Sequence, residues 1–95
     1  MNTPQDIHSR QVLICNTKGL HARASALFVK CAQQFDAMIS VTRDDETVSG
    51  NSIMDLLMLA AAKGTLITIT TSGAQSSEAL EQLIKLVEAG FYEEE

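Results

Sequence analysis

The stretch MISVTRDDETVS, Met38 to Ser49, decides the fold. Met38 to Arg43 alternates, with Ile39 and Val41 on one side and Ser40 and Thr42 on the other, as a half-buried strand does. Asp44-Asp45 makes a tight turn and Glu46 to Ser49 returns as a short second strand, so the segment reads as a β-hairpin. On both sides the apolar period lengthens. Upstream, Phe28, Cys31, Ala32 and Phe35 stand at i, i+3, i+4 and i+7 on a helix that begins at Ala22 and ends near Gln34. Downstream, Gly50-Asn51 breaks the pattern, and Ser52 followed by Asp55 supplies a helix start. Ile53, Leu56, Leu57 and Ala60 then form a core stripe, and Lys63-Gly64 closes that helix. A hairpin between two amphipathic helices calls for helices layered on a sheet.

Working outward, Arg10 to Cys15 is short, β-branched and apolar, and suits a largely buried strand. Asn16-Thr17-Lys18-Gly19 supplies turn chemistry, with Gly19 free to take a positive φ. Leu66 to Thr71 is the clearest strand of the chain. Ser72-Gly73 turns, and a last helix runs from about Gln75 to Ala89 with Leu80, Leu83, Ile84 and Val87 as its stripe, extended by Phe91. The order β-α-β-β-α-β-α predicts an α+β fold: a four-stranded, mostly antiparallel sheet with three helices on one face. The pattern does not fix the strand order. The domain is expected over residues 10–91, after a loose polar lead-in over 1–9 that contains His8 and before an acidic, solvated tail over 92–95.

The chain has 95 residues, enough for one core. Aromatic residues make up only 4%, so Leu, Ile, Val, Ala and Met must fill that core. A net charge of −5 argues against nucleic acid as the main partner. The longest apolar stretch, Leu56 to Ala62, falls far short of the roughly 20 residues of a membrane span. The start of the chain does not resemble a signal peptide, so a cytoplasmic protein is expected. Cys15 and Cys31 have neither metal-ligand nor C-x-x-C spacing and read as buried free thiols. No metal or cofactor is implied. Charge is unevenly placed: from Ile7 to Phe35 there are Arg10, Lys18, Arg23 and Lys30 and no carboxylate. Such a segment suits an anion or an acidic partner.

His8, in the polar lead-in, reads as a plain surface residue. His21 lies between the Gly19 turn and the first helical residue, where backbone N–H groups lack intrahelical acceptors and the macrodipole is positive. That end binds phosphate and disfavours a protonated ring, leaving the imidazole neutral and nucleophilic. Arg23 can bring a guanidinium to the same place and pair with phosphoryl oxygens. Backbone amides of Ala22, Arg23 and Ala24 complete an anion cradle. Covalent phosphorylation of an imidazole nitrogen is the reaction such a group suits. Taken alone, a His-x-Arg pair is weak evidence and reads first as a histidine that caps the helix or lies on the surface at a loop.

Gly19-Leu20-His21-Ala22-Arg23, followed by the small residues Ala24, Ser25 and Ala26, resembles the active-site stretch of the HPr family, the histidine phosphocarriers of the bacterial phosphotransferase system. Ser52-Ile53-Met54-Asp55-Leu56 resembles the regulatory-serine segment of the same family, at the expected separation, and the likeness covers roughly residues 10 to 90. It implies the HPr-like open-faced sandwich. It also implies that His21 accepts a phosphoryl group at Nδ1 from phosphorylated Enzyme I and passes it to a IIA domain, with Arg23 as the active-site arginine. Ala24 and the Ser52-Ile53-Met54 segment resemble the nitrogen-type branch, and the sequence leaves open whether the role is sugar uptake or regulation. The family usually has proline where Ala24 stands. Alanine restores one N–H and loses some rigidity, so an altered phosphohistidine lifetime is expected.

Ser52 caps the second helix and, by the resemblance, is the serine that an HPr kinase/phosphorylase modifies. Met54 and Met58 lie off the stripe of Ile53, Leu56 and Ala60 and suit an adaptable docking patch, with the filling of a core gap as the other reading. By the resemblance, Ile53, Met54 and Met58 share a partner surface with Ala22, Ala26 and Lys30. A monomeric carrier is the expectation. A non-covalent docking module of the same fold is the alternative, and a hydrolase is disfavoured because no Cys–His pair, paired acids or metal cluster surrounds His21.

Overall fold

The computed structural model describes residues 7–93. Strands β1 (Ile7–Leu13), β2 (Met38–Arg43), β3 (Glu46–Ser49) and β4 (Leu66–Ser72) alternate with helices α1 (Ala22–Ala32), α2 (Ile53–Leu59) and α3 (Ser76–Glu88), and a single 3-10 turn covers Gly90–Tyr92. The strands form one sheet in the order β1-β4-β2-β3, every neighbouring pair antiparallel. The predicted hairpin is β2–β3, with Val41 opposite Val48 and Arg43 opposite Glu46. The α+β fold and its element order are as the sequence predicts.

Alternation decides which face is covered. Val12, Ile39, Val41, Ile67, Ile69 and Thr71 turn toward the helices and are buried. Their neighbours Ser9, Gln11, Ser40, Thr42, Thr68 and Thr70 face away from the core. Cross-strand hydroxyl bonds tie that outer face, Ser9 to Thr70 at 2.8 Å and Thr42 to Thr47 at 2.8 Å. From the helices, Ala24, Phe28 and Ala32 of α1, Leu56 and Leu59 of α2, and Leu80, Leu83 and Val87 of α3 complete the core. Each large side chain buried there contributes about 1.5–3 kcal/mol relative to exposure.

Several expectations are corrected. β1 begins at Ile7, so Ile7, His8 and Ser9 are strand residues paired with Ser72, Thr71 and Thr70 rather than a loose lead-in; residues 1–6 of that lead-in lie outside the described residues. Cys15 is exposed and Cys31 only partly buried, so Cys15 is not a core thiol. It follows the buried Ile14, one residue past the end of β1, and the strand's alternation carried on turns it outward, where Sγ lies 3.5 Å from the Val87 carbonyl. Burial pushes the Cys31 thiol up from its ordinary pKa. α2 stops at Leu59 rather than near Lys63: Ala60 takes a left-handed conformation (φ +54), and Arg43 Nη1 donates to the Leu59 carbonyl at 3.1 Å. Its core positions are Leu56 and Leu59, whereas Ile53, Leu57 and Ala60 of the expected stripe are exposed. A helix of two turns buries one narrow edge, and an almost wholly apolar segment leaves its period unable to say which.

Candidate functional site

The segment between β1 and α1 is built to hold one side chain at a helix start. Gly19 N donates to the Asn16 carbonyl at 3.1 Å, closing a turn. Gly19 has φ +63, and a Cβ there would lie 2.5 Å from the Ala61 carbonyl oxygen. Both conditions require glycine. Leu20, buried, then donates its N–H to that same Ala61 carbonyl at 2.9 Å, so the loop is clamped to the segment following α2.

His21 is the N-cap residue of α1 in extended conformation (φ −77, ψ −177), and its side chain makes no capping bond. Ala22, Arg23 and Ala24 follow in the first turn, where N–H groups have no intrahelical acceptor and which itself contains no acidic residue. Ser25 N is the first amide to turn inward, donating to the His21 carbonyl at 2.8 Å. The imidazole is 26% exposed, yet its Nε2 is buried without a hydrogen bond. Nδ1 is the ring nitrogen not closed off in this way.

Nε2 faces Glu93. Glu93 Oε2 lies 3.6 Å from it and accepts a hydrogen bond from Asn16 Nδ2 at 2.7 Å. Asn16, itself buried, also donates from Nδ2 to the Gly19 carbonyl at 2.8 Å. The Asn16 side-chain hydrogen bond, then a Lys18 backbone N–H and the charges of His21 and Lys18, outweigh burial and hold the Glu93 carboxyl below the usual carboxylate range. The expected solvated tail is thus corrected at Glu93, whose side chain is only 9% exposed; residues 94–95 lie outside the described residues. The carboxylate-free run from Ile7 to Phe35 receives its carboxylate from the opposite end of the chain.

Arg23 is exposed at this end of α1, and its Nη1 donates to the Phe91 carbonyl at 3.4 Å. The guanidinium is thus tied to the same terminal turn that carries Glu93. Ser52 caps α2 as expected, its Oγ accepting from Asp55 N at 3.1 Å, while Asp55 Oδ2 accepts from Ser49 N at 3.4 Å. It stands apart from His21, because the far end of α2 is the one that abuts Gly19 and Leu20, roughly 10 Å further along the helix axis. Ala22, Ala26 and Lys30 are exposed on α1. On α2, Ile53 (41%), Met54 (66%), Leu57 (37%) and Met58 (69%) are exposed, so the two methionines fill no core gap. Among the described residues no cluster of three metal-ligating side chains occurs, and no helix is long and apolar enough to cross a membrane.

A family model described as the PTS HPr component phosphorylation site matches residues 8–89. The chain belongs to the HPr family of phosphocarriers. The Phosphocarrier protein HPr of Neisseria meningitidis is 48% identical over 86 residues, covering 90% of this chain and 97% of its own. The Phosphocarrier protein NPr of Shewanella violacea is 40% identical over 84 residues, covering 88% and 92%. In structure, the HPr of Thermoanaerobacter tengcongensis superposes with a TM-score of 0.88 at 35% identity, over 93% of this chain and 99% of that one. As an HPr-family member the chain is a phosphoryl carrier rather than a catalyst with its own turnover.

Glu93 and Asn16 are what sequence reasoning missed. Asn16 was legible only as a turn former. Glu93 looks like one more acid in a terminal acidic run, and nothing local marks a side chain that lies beside one 72 positions upstream.

Proposed function

We propose that this chain accepts a phosphoryl group from phosphorylated Enzyme I on Nδ1 of His21 and donates it to a IIA domain of the phosphoenolpyruvate-dependent phosphotransferase system. The observation that supports this reading is the burial of His21 Nε2 against Glu93, which closes off one of the two ring nitrogens; on this reading Nδ1 is the nitrogen that meets the donor. The amides of Ala22, Arg23 and Ala24 serve as the cradle, because dipoles fixed in place cost no reorganisation when charge arrives. Arg23 exchanges its bond to a carbonyl for a stronger, charge-assisted one to phosphoryl oxygens. Ala22, Ala26 and Lys30 of α1 and Ile53, Met54 and Met58 of α2 form the docking surface, whose small and flexible side chains let different partners approach the ring.

Ser52 is the regulatory site for an HPr kinase/phosphorylase in this reading. Phosphate there adds about −1.5 to −2 charge beside exposed Ile53 and Met54, and deters partners that present carboxylates. The carrier works in the cytoplasm as a monomer, in sugar uptake or nitrogen regulation.

Incubation with Enzyme I and phosphoenolpyruvate tests the reading. An acid-labile, base-stable phosphate is expected on the native chain and on His8→Ala, and none on His21→Ala. Phosphate retained in His21→Ala overturns it.

A further inference from the structure

The segment after α3 turns the wrong way for ordinary residues. Gly90, Phe91 and Tyr92 have φ of +63, +55 and +56, three successive left-handed residues of which only the first is glycine. Left-handed backbone is disfavoured for L-residues with side chains and persists where surrounding structure over-determines it. Here Phe91 is completely buried in the core, and Glu93 N and Tyr92 N donate to the carbonyls of Gly90 and Ala89 at 3.0 and 3.1 Å. The product of this strained turn is the placement of the Glu93 carboxylate, fixed by Asn16 and the Lys18 amide, opposite His21 Nε2.

We propose that Glu93 is a positioning residue for phosphoryl acceptance, its carboxylate set 3.6 Å from His21 Nε2 so that the ring proton is favoured at that edge and the Nδ1 lone pair is left for the donor. The inference rests on the carrier reading above and adds a residue to it. A neutral imidazole carries its proton on one nitrogen, and an acceptor at one edge selects the tautomer with the proton there. The step balances simply. The Nδ1 lone pair forms the new N–P bond as the donor's N–P bond breaks, and that bond's electron pair returns to the donor nitrogen. Nε2 keeps its proton, so positive charge develops on the ring and the nearby carboxylate meets it. Asn16 supports the carboxylate in turn, since a carboxylate bonded by an amide cannot swing away to solvent.

Phosphoramidate, a small N–P donor, tests this without any partner surface. ¹⁵N spectra of the His21 ring in the neutral form and the rate of phosphorylation are compared for the native chain, Glu93→Ala and Glu93→Gln, with α1 amide resonances as the check on folding. The native ring is expected wholly in the Nε2–H form. In Glu93→Ala both tautomers appear and phosphorylation slows roughly fivefold. In Glu93→Gln the amide oxygen restores the tautomer, and the rate recovers only in part because the charge is gone. Native ring shifts and a native rate in Glu93→Ala, with phosphate on His21, overturn the role of Glu93 alone. Absence of phosphate on His21 in the native chain overturns the carrier reading and this proposal with it.

Discussion

At the scale of single residues, the site depends on one glycine and one histidine whose requirements differ in kind. Gly19 is constrained from two sides, by its positive φ and by the Ala61 carbonyl that a Cβ would meet. Gly19→Ala therefore has no inexpensive escape: the backbone must leave the left-handed region or the loop must come away from residues 61–62. The substitution is expected to destabilise by at least about 2 kcal/mol, measured by denaturant unfolding, and to blunt phosphorylation of His21 by shifting the ring off the helix end. Native stability in Gly19→Ala would mean that the clamp to residues 61–62 is dispensable. Gly19 and His21 were both legible in the sequence, since each announces itself within five residues, one by turn chemistry and the other by standing just ahead of a helical period. Cys15 was misread because a hydrophobic residue type was taken for a buried position, when strand alternation had already turned it outward.

At the scale of elements, α2 has seven residues and little helical stability of its own, so its ends matter. The Ser52 hydroxyl satisfies one orphan amide at its start, and Arg43 satisfies one carbonyl at its close. Ser52→Ala is expected to cost about 1 kcal/mol, read as a fall in Tm of roughly 4–8 °C for a domain of this size. An unchanged Tm would place the stability of α2 wholly in Leu56 and Leu59. The start of this helix was legible because Ser52 and Asp55 follow a capping pattern. Its end was not, because the residue that turns left-handed is Ala60, which carries no stop signal, while Lys63-Gly64 carries one and belongs to the next turn. The same shortness exposes Leu57 beside Ile53, Met54 and Met58, giving the proposed docking surface one more apolar side chain than the sequence reading allotted to it.

At the scale of the whole molecule, the strand order β1-β4-β2-β3 and the placement of Glu93 are products of long-range packing, which local patterns do not encode. The second of these carries a pH signature. The Glu93 carboxyl is held below its ordinary range chiefly by the Asn16 hydrogen bond, so folding favours its charged form. The contribution is fully present above the ordinary glutamate range and is lost as pH falls through the lowered value. The difference in Tm between the native chain and Glu93→Gln should accordingly stay constant from neutral pH down to the ordinary glutamate range, then shrink under more acid conditions. A difference that survives well below that range would show that charge on Glu93 is irrelevant to the fold.

Asn16 and Glu93, which meet beside the imidazole, are 77 positions apart along the chain. A nascent polypeptide leaving the ribosome thus presents its nucleophile long before the wall that faces it has been translated. On the role proposed for Glu93, the full rate of phosphorylation therefore waits on a residue translated 72 positions after the imidazole it faces.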